Sequence, residues 1–87
     1  MGEEKIVILG AGSPFTPGYI DSINHYKNVF DKSEVVFMDI DSSYLNSLTK
    51  LGEMMAKKAG IDLRFKGTTN AKEALDGATL ILPTFRI

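Results

Sequence analysis

The chain has 87 residues, room for one domain, and its 44% hydrophobic and 24% charged content is that of a globular protein rather than a disordered one. A formal net charge of −1 with no basic block argues against nucleic acid or an anionic membrane as partner. With no cysteine and one histidine, His25, there is no disulfide framework, no thiolate nucleophile and no His/Cys cluster for a transition metal.

The first residues, Met1, Gly2, Glu3, Glu4 and Lys5, lack the basic start of a secretory signal, and Ile6 stands where myristoylation wants Ser or Thr. The apolar run that follows is far too short to cross a bilayer. These features predict a cytoplasmic protein with no membrane partner. The run Ile6, Val7, Ile8 and Leu9 is β-branched and continuously apolar, which suits a strand buried on both faces of a parallel sheet. Residues 10–17 carry turn chemistry: Gly10, Gly12, Ser13, Pro14, Thr16 and Pro17. A helix should follow. Its apolar stripe is Tyr19, Ile20, Ile23, Tyr26 and Phe30, and Pro17 suits its first turn.

Residues 27–33 read as a longer connection. A second strand, Val35 to Met38, stops at Asp39. Asp41, Ser42 or Ser43 can cap the next helix, whose stripe is Tyr44 or Leu45, Leu48, Leu51, Met55 and Ala59. Gly60 ends it after Lys57 and Lys58. Met38, Met54 and Met55 read as core filler. Ile61, Leu63 and Phe65 alternate with polar residues, so the third strand should lie near a sheet edge. Asn70 with Glu73 resembles a capping box for a short helix over residues 71–75, ended by Gly77. Residues 79–82 read as a buried fourth strand, and Pro83 limits its ladder.

The alternation β-α-β-α-β-α-β defines an α/β fold: a parallel sheet in the order 3-2-1-4 with helices on both faces. No linker divides it, so residues 1–87 form one domain. Six strands are usual in this fold, and four make a truncated version.

Gly10-Ala11-Gly12-Ser13-Pro14-Phe15 stands between strand and helix. Gly10 lets the chain turn sharply. Gly12 lets backbone approach a pyrophosphate, and the helix behind offers free N–H groups. Phe15 replaces the third glycine of the usual fingerprint and implies a different helix start. Asp39, at the end of the second strand, suits the hydroxyls of an adenosine ribose, although it lies further from Gly10 than the usual spacing. Asp41 is the rival, read as a helix cap. An aspartate there repels a 2′-phosphate, so NAD is favoured over NADP. Arg86 follows the fourth strand, where it reads either as a contact for a phosphate or carboxylate or, the stronger reading from the residue alone, as a surface arginine.

Residues 5–13, Thr16-Pro17, Met38-Asp39-Ile40-Asp41, Ala74 to Ala78 and Phe85-Arg86-Ile87 resemble the opening of the NAD-dependent family-4 glycoside hydrolases. That family includes 6-phospho-glucosidases, α-glucosidases and α-galactosidases. The resemblance implies a Rossmann-like domain with NAD on Gly10, Ala11, Gly12, Ser13, Phe15, Thr16 and Asp39, and Arg86 toward substrate. It implies a redox-assisted elimination on a sugar or sugar phosphate, unlike the usual pair of glycosidase carboxylates. Oxidation at C3 acidifies the C2 proton, a base removes it, the glycosidic oxygen leaves, water adds and the hydride returns. A divalent metal, typically manganese, polarises the sugar hydroxyls. The family's metal-binding Cys and His and its base lie downstream of the matching region. No catalytic or metal-ligating residue is therefore expected among these 87, and the chain reads as the N-terminal piece of a longer, homo-oligomeric enzyme. The family often has Gln before Phe-Arg, and this chain has Thr84. Two other readings stand beside this one: part of a 2-hydroxy-acid dehydrogenase, and a nucleotide-binding module without chemistry.

Overall fold

The structure, a computed structural model, describes residues 4–11 and 16–83. Strands β1 (Lys5–Leu9), β2 (Ser33–Met38), β3 (Leu63–Thr68) and β4 (Leu80–Pro83) alternate with helices α1 (Thr16–His25), α2 (Lys27–Phe30), α3 (Leu45–Ala59) and α4 (Ala71–Leu75). All strand pairs are parallel, in the expected order β3-β2-β1-β4. Leu9 lies level with Met38 and Pro83, and Met38 level with Thr68, so all four strands finish at one edge.

The core forms around β1, where Ile6, Val7 and Ile8 are fully buried. Each such side chain contributes about 1.5–3 kcal/mol relative to exposure. Because successive strand residues point to opposite faces, Ile6 and Ile8 pack with Val35, Phe37, Ile20, Ile23 and Leu45 beneath α1 and α3. Val7 and Val36 meet Ala74 of α4 on the other face. That second face is thinly covered, since α4 has only five residues.

Several expectations change. The first helix does not run on to Phe30: Tyr26 leaves helical geometry (φ −101°, ψ 48°), and the supposed connection begins with the short helix α2. The break leaves Tyr26 exposed while Phe30 still packs on the core. In α3 the buried residues are Leu45, Gly52 and Ala56, whereas Ala59 is exposed. Leu48 and Met55 pack against the same cluster, Met38 against the other, and Met54 points out. Gly60 caps α3 in the left-handed region at φ 71°. Strand β4 is half-buried, not buried, because among the described residues only the short helix α4 covers its second face: Ile81 is 45% exposed. The capping box is formed by halves. Asn70 Oδ1 accepts from the Glu73 N–H at 3.1 Å, but the Glu73 carboxylate turns away to Lys66.

Candidate functional site

The carboxyl ends of parallel strands share an edge, and the strand order reverses there between β1 and β4. That is the crevice in which open α/β sheets receive ligands. Gly10 leaves β1 at φ +70°, a conformation that suits glycine. The chain then passes under β2: the Ala11 N–H donates to the Met38 carbonyl at 3.0 Å, and Ala11 is fully buried. At the start of α1 the Thr16 hydroxyl donates back to the Ala11 carbonyl at 2.7 Å, also fully buried.

Asp39 is the next residue beyond β2. Its N–H donates to the Thr68 carbonyl at 3.2 Å, and its Oδ1 accepts from the Asp41 N–H at 3.0 Å. It is only 2% exposed, held in the body of the edge. Asp41 has a different task. Its Oδ1 accepts from the N–H and the hydroxyl of Ser43, capping the 3₁₀ turn Ser42–Tyr44 that leads into α3. Gly10, Ala11, Thr16 and Asp39 are thus gathered at one edge. Gly12, Ser13, Phe15 and Arg86, the other residues expected to touch ligand, lie outside the described residues.

Two features of this edge escaped the sequence reading. Tyr19, counted only as stripe, donates its hydroxyl to the Pro83 carbonyl at 3.0 Å and ties α1 to the end of β4 across the switch point. Gly67 in β3 faces Leu45, and a Cβ there would lie 2.9 Å from the Leu45 Cβ. Its missing side chain lets α3 seat closely on β3, and a shallow depression lined by Ser42, Leu45, Asn46, Thr49 and Gly67 opens beside the Asp39 turn. A bulky residue at position 67 would have been the expected neighbour of a half-buried strand, so only the glycine itself was a signal. A larger hollow runs along α4, lined by Asn70, Lys72 and Asp76 among other described residues. His25 is exposed at the far end of α1, its ring edge-on to Tyr26.

Among the described residues no three His, Cys, Asp or Glu side chains group to hold a metal ion. No helix among them is long and apolar enough to cross a membrane.

A parallel sheet in this order, with a left-handed glycine leaving its central strand and a buried acid after the next, defines the Rossmann-like class of α/β folds. Within that class the profile described as family 4 glycosyl hydrolase matches residues 5–87, and the chain belongs to that family. It is 28% identical over 87 residues to a maltose-6′-phosphate glucosidase of Clostridium acetobutylicum, covering 100% of this chain and 20% of the relative. A 6-phospho-α-glucosidase from gut microorganisms, solved with NAD and glucose-6-phosphate, superposes with a TM-score of 0.82 at 31% identity. The match covers 98% of this chain and 19% of that one. Another, solved with NAD and Mn²⁺, gives 0.81 at 27%, over 97% of this chain and 19% of that one. The chain therefore spans about one-fifth of the length of these relatives.

Proposed function

We propose that this chain is the NAD-binding portion of a family 4 glycosidase acting on 6-phosphoglucosides. The observation that carries the reading is the meeting of the Gly10 turn and the buried Asp39 at the edge where strand order reverses. Family membership and the NAD in the superposed relatives support it. The residues fit the adenosine half of the dinucleotide. Gly10 and Ala11 bring backbone to the edge without bulk, and Gly12, Ser13, Phe15 and Thr16 are assigned to the same nucleotide by the family resemblance alone. Asp39 presents an acceptor to the ribose hydroxyls, and its orientation is held by the Asp41 N–H. When bound, NAD supplies the hydride acceptor for oxidising the sugar ring.

The metal does not fit the described part of this chain, because no ligand set is grouped there. The manganese of the parent enzyme is assigned to residues outside it. Arg86, just past β4, is assigned to the anionic sugar phosphate on charge alone. The parent enzyme is read as cytoplasmic and homo-oligomeric, and the 87-residue chain alone as inactive.

Titration calorimetry of the chain with ADP-ribose tests the reading. Wild type should bind, and Asp39→Asn should bind about tenfold more weakly, having lost a charged acceptor while keeping its shape. Absence of binding by wild type, or equal binding by both proteins, would overturn the nucleotide reading or the Asp39 assignment respectively. Turnover of a nitrophenyl 6-phosphoglucoside by the chain, with NAD and manganese present, would refute the claim of inactivity.

A further inference from the structure

We infer that Thr16 is a positioning residue that holds Ala11, the residue after Gly10, in place, and not the ligand contact that the resemblance implies. The inference rests on the nucleotide reading above. Thr16 and Ala11 are both fully buried, and the Thr16 hydroxyl donates to the Ala11 carbonyl at 2.7 Å. Ala11 is held on its other side by the Met38 carbonyl. The ladder of β2 therefore continues through Ala11 into the first residue of α1.

The consequence is geometric. Ala11 and Thr16 are tied to each other, and through the Met38 carbonyl to the strand end that carries Asp39. Backbone held in place before a ligand arrives loses less freedom on binding, and preorganisation of this kind raises affinity without adding a contact. The Thr16 side chain is fully buried, and its hydroxyl answers a buried carbonyl that would lose a donor without it. Pro17 follows and has no N–H to offer.

The test compares Thr16→Val, which keeps the shape and removes the donor, with Thr16→Ser, which keeps the donor. Each is titrated with ADP-ribose and with adenosine, and its fold is checked by circular dichroism and thermal melting. Adenosine carries the ribose that Asp39 would hold but no pyrophosphate. Thr16→Val should bind ADP-ribose on the order of tenfold more weakly and adenosine as wild type does, and Thr16→Ser should recover wild-type binding to within about twofold. Unchanged ADP-ribose affinity in Thr16→Val would overturn the inference. So would an equal loss for both ligands alongside a lowered melting temperature, which is what a purely structural threonine would give. A wild type that binds neither ligand sinks the nucleotide reading, and the role of Thr16 with it.

Discussion

The N–H of Ala11 and the carbonyl of Met38 meet at 3.0 Å, and this bond stitches the turn after β1 to the residue before Asp39. The stitch depends on Gly10 at φ +70°. In Gly10→Ala an L side chain must adopt the left-handed region, at a cost of about 1–2 kcal/mol, or the turn must open. Urea denaturation should show a lower midpoint, and ADP-ribose binding should weaken with it. An unchanged midpoint would mean that the turn accommodates a Cβ.

A second glycine matters for the opposite reason. Gly52 lies inside α3, where glycine ordinarily weakens a helix by about 1 kcal/mol relative to alanine. Here a Cβ would come within 2.5 Å of Phe65 Cε1, and that ring stacks on Phe37 with centroids 5.8 Å apart. Gly52→Ala should therefore destabilise the chain by about 1–3 kcal/mol despite its better helix propensity. Adding Phe65→Leu should recover part of the loss, because the smaller side chain yields the space. A stabilised Gly52→Ala would show that the ring moves aside freely.

The strand order and the site edge were legible because apolar runs, turn residues and the acid at a strand end leave local signatures. Ile6 to Leu9 and Val35 to Met38 read the same way in sequence and in structure. What stayed hidden depends on partners distant in the chain. Nothing around Gly52 announces that Phe65 will lie above it, and nothing around Tyr19 announces the Pro83 carbonyl. The α1 break at Tyr26 was masked because Phe30 keeps the helical spacing after the axis changes. The half-exposure of β4 leaves no mark in its sequence, because an apolar run reports what a strand can bury, not what is present to cover it.

The Lys66 ammonium and the Glu73 carboxylate lie 2.7 Å apart and join β3 to α4. Their hydrogen bond, reinforced by charge attraction, lowers the Glu73 pKa below the ordinary carboxylate value and raises that of Lys66 above the ordinary lysine value. The Glu73 contribution is complete above its unfolded pKa and is lost as pH falls through the depressed value. The Lys66 contribution is complete below its unfolded pKa and is lost as pH rises through the raised one. Both groups are exposed, so the effect is small and screened by salt. The melting temperature of Glu73→Gln should trail wild type at neutral pH and low salt, and the gap should close at acid pH, at strongly alkaline pH and in high salt. A gap constant across pH would deny the pair any role.

Ile81 is 45% exposed on the face that α4 covers thinly, and β4 ends the order β3-β2-β1-β4 among the described residues. An apolar edge of this kind templates association. The 87-residue chain should scatter light increasingly with concentration, and Ile81→Lys should suppress this while leaving ADP-ribose affinity intact. If both proteins are monodisperse at high concentration, the edge is not sticky.

Asp39 should also set the choice between dinucleotides. Its Oδ1 is engaged by the Asp41 N–H, which fixes the carboxylate at the end of β2 where the ribose hydroxyls would arrive. A 2′-phosphate brought there adds a second anion beside an almost fully buried one, with little water to screen the repulsion. NAD should therefore bind the wild-type chain better than NADP. Asp39→Ser removes the charge yet keeps an oxygen that can accept from the N–H two residues on, as serine does in turns. The turn should then survive, and the NAD preference should narrow mainly through improved NADP binding. Competition titrations against a fluorescent nucleotide analogue give both affinities for each protein. Wild type binding NADP as tightly as NAD would remove Asp39 from the ribose site, and Asp41, already committed to capping Ser43, would not be an adequate substitute.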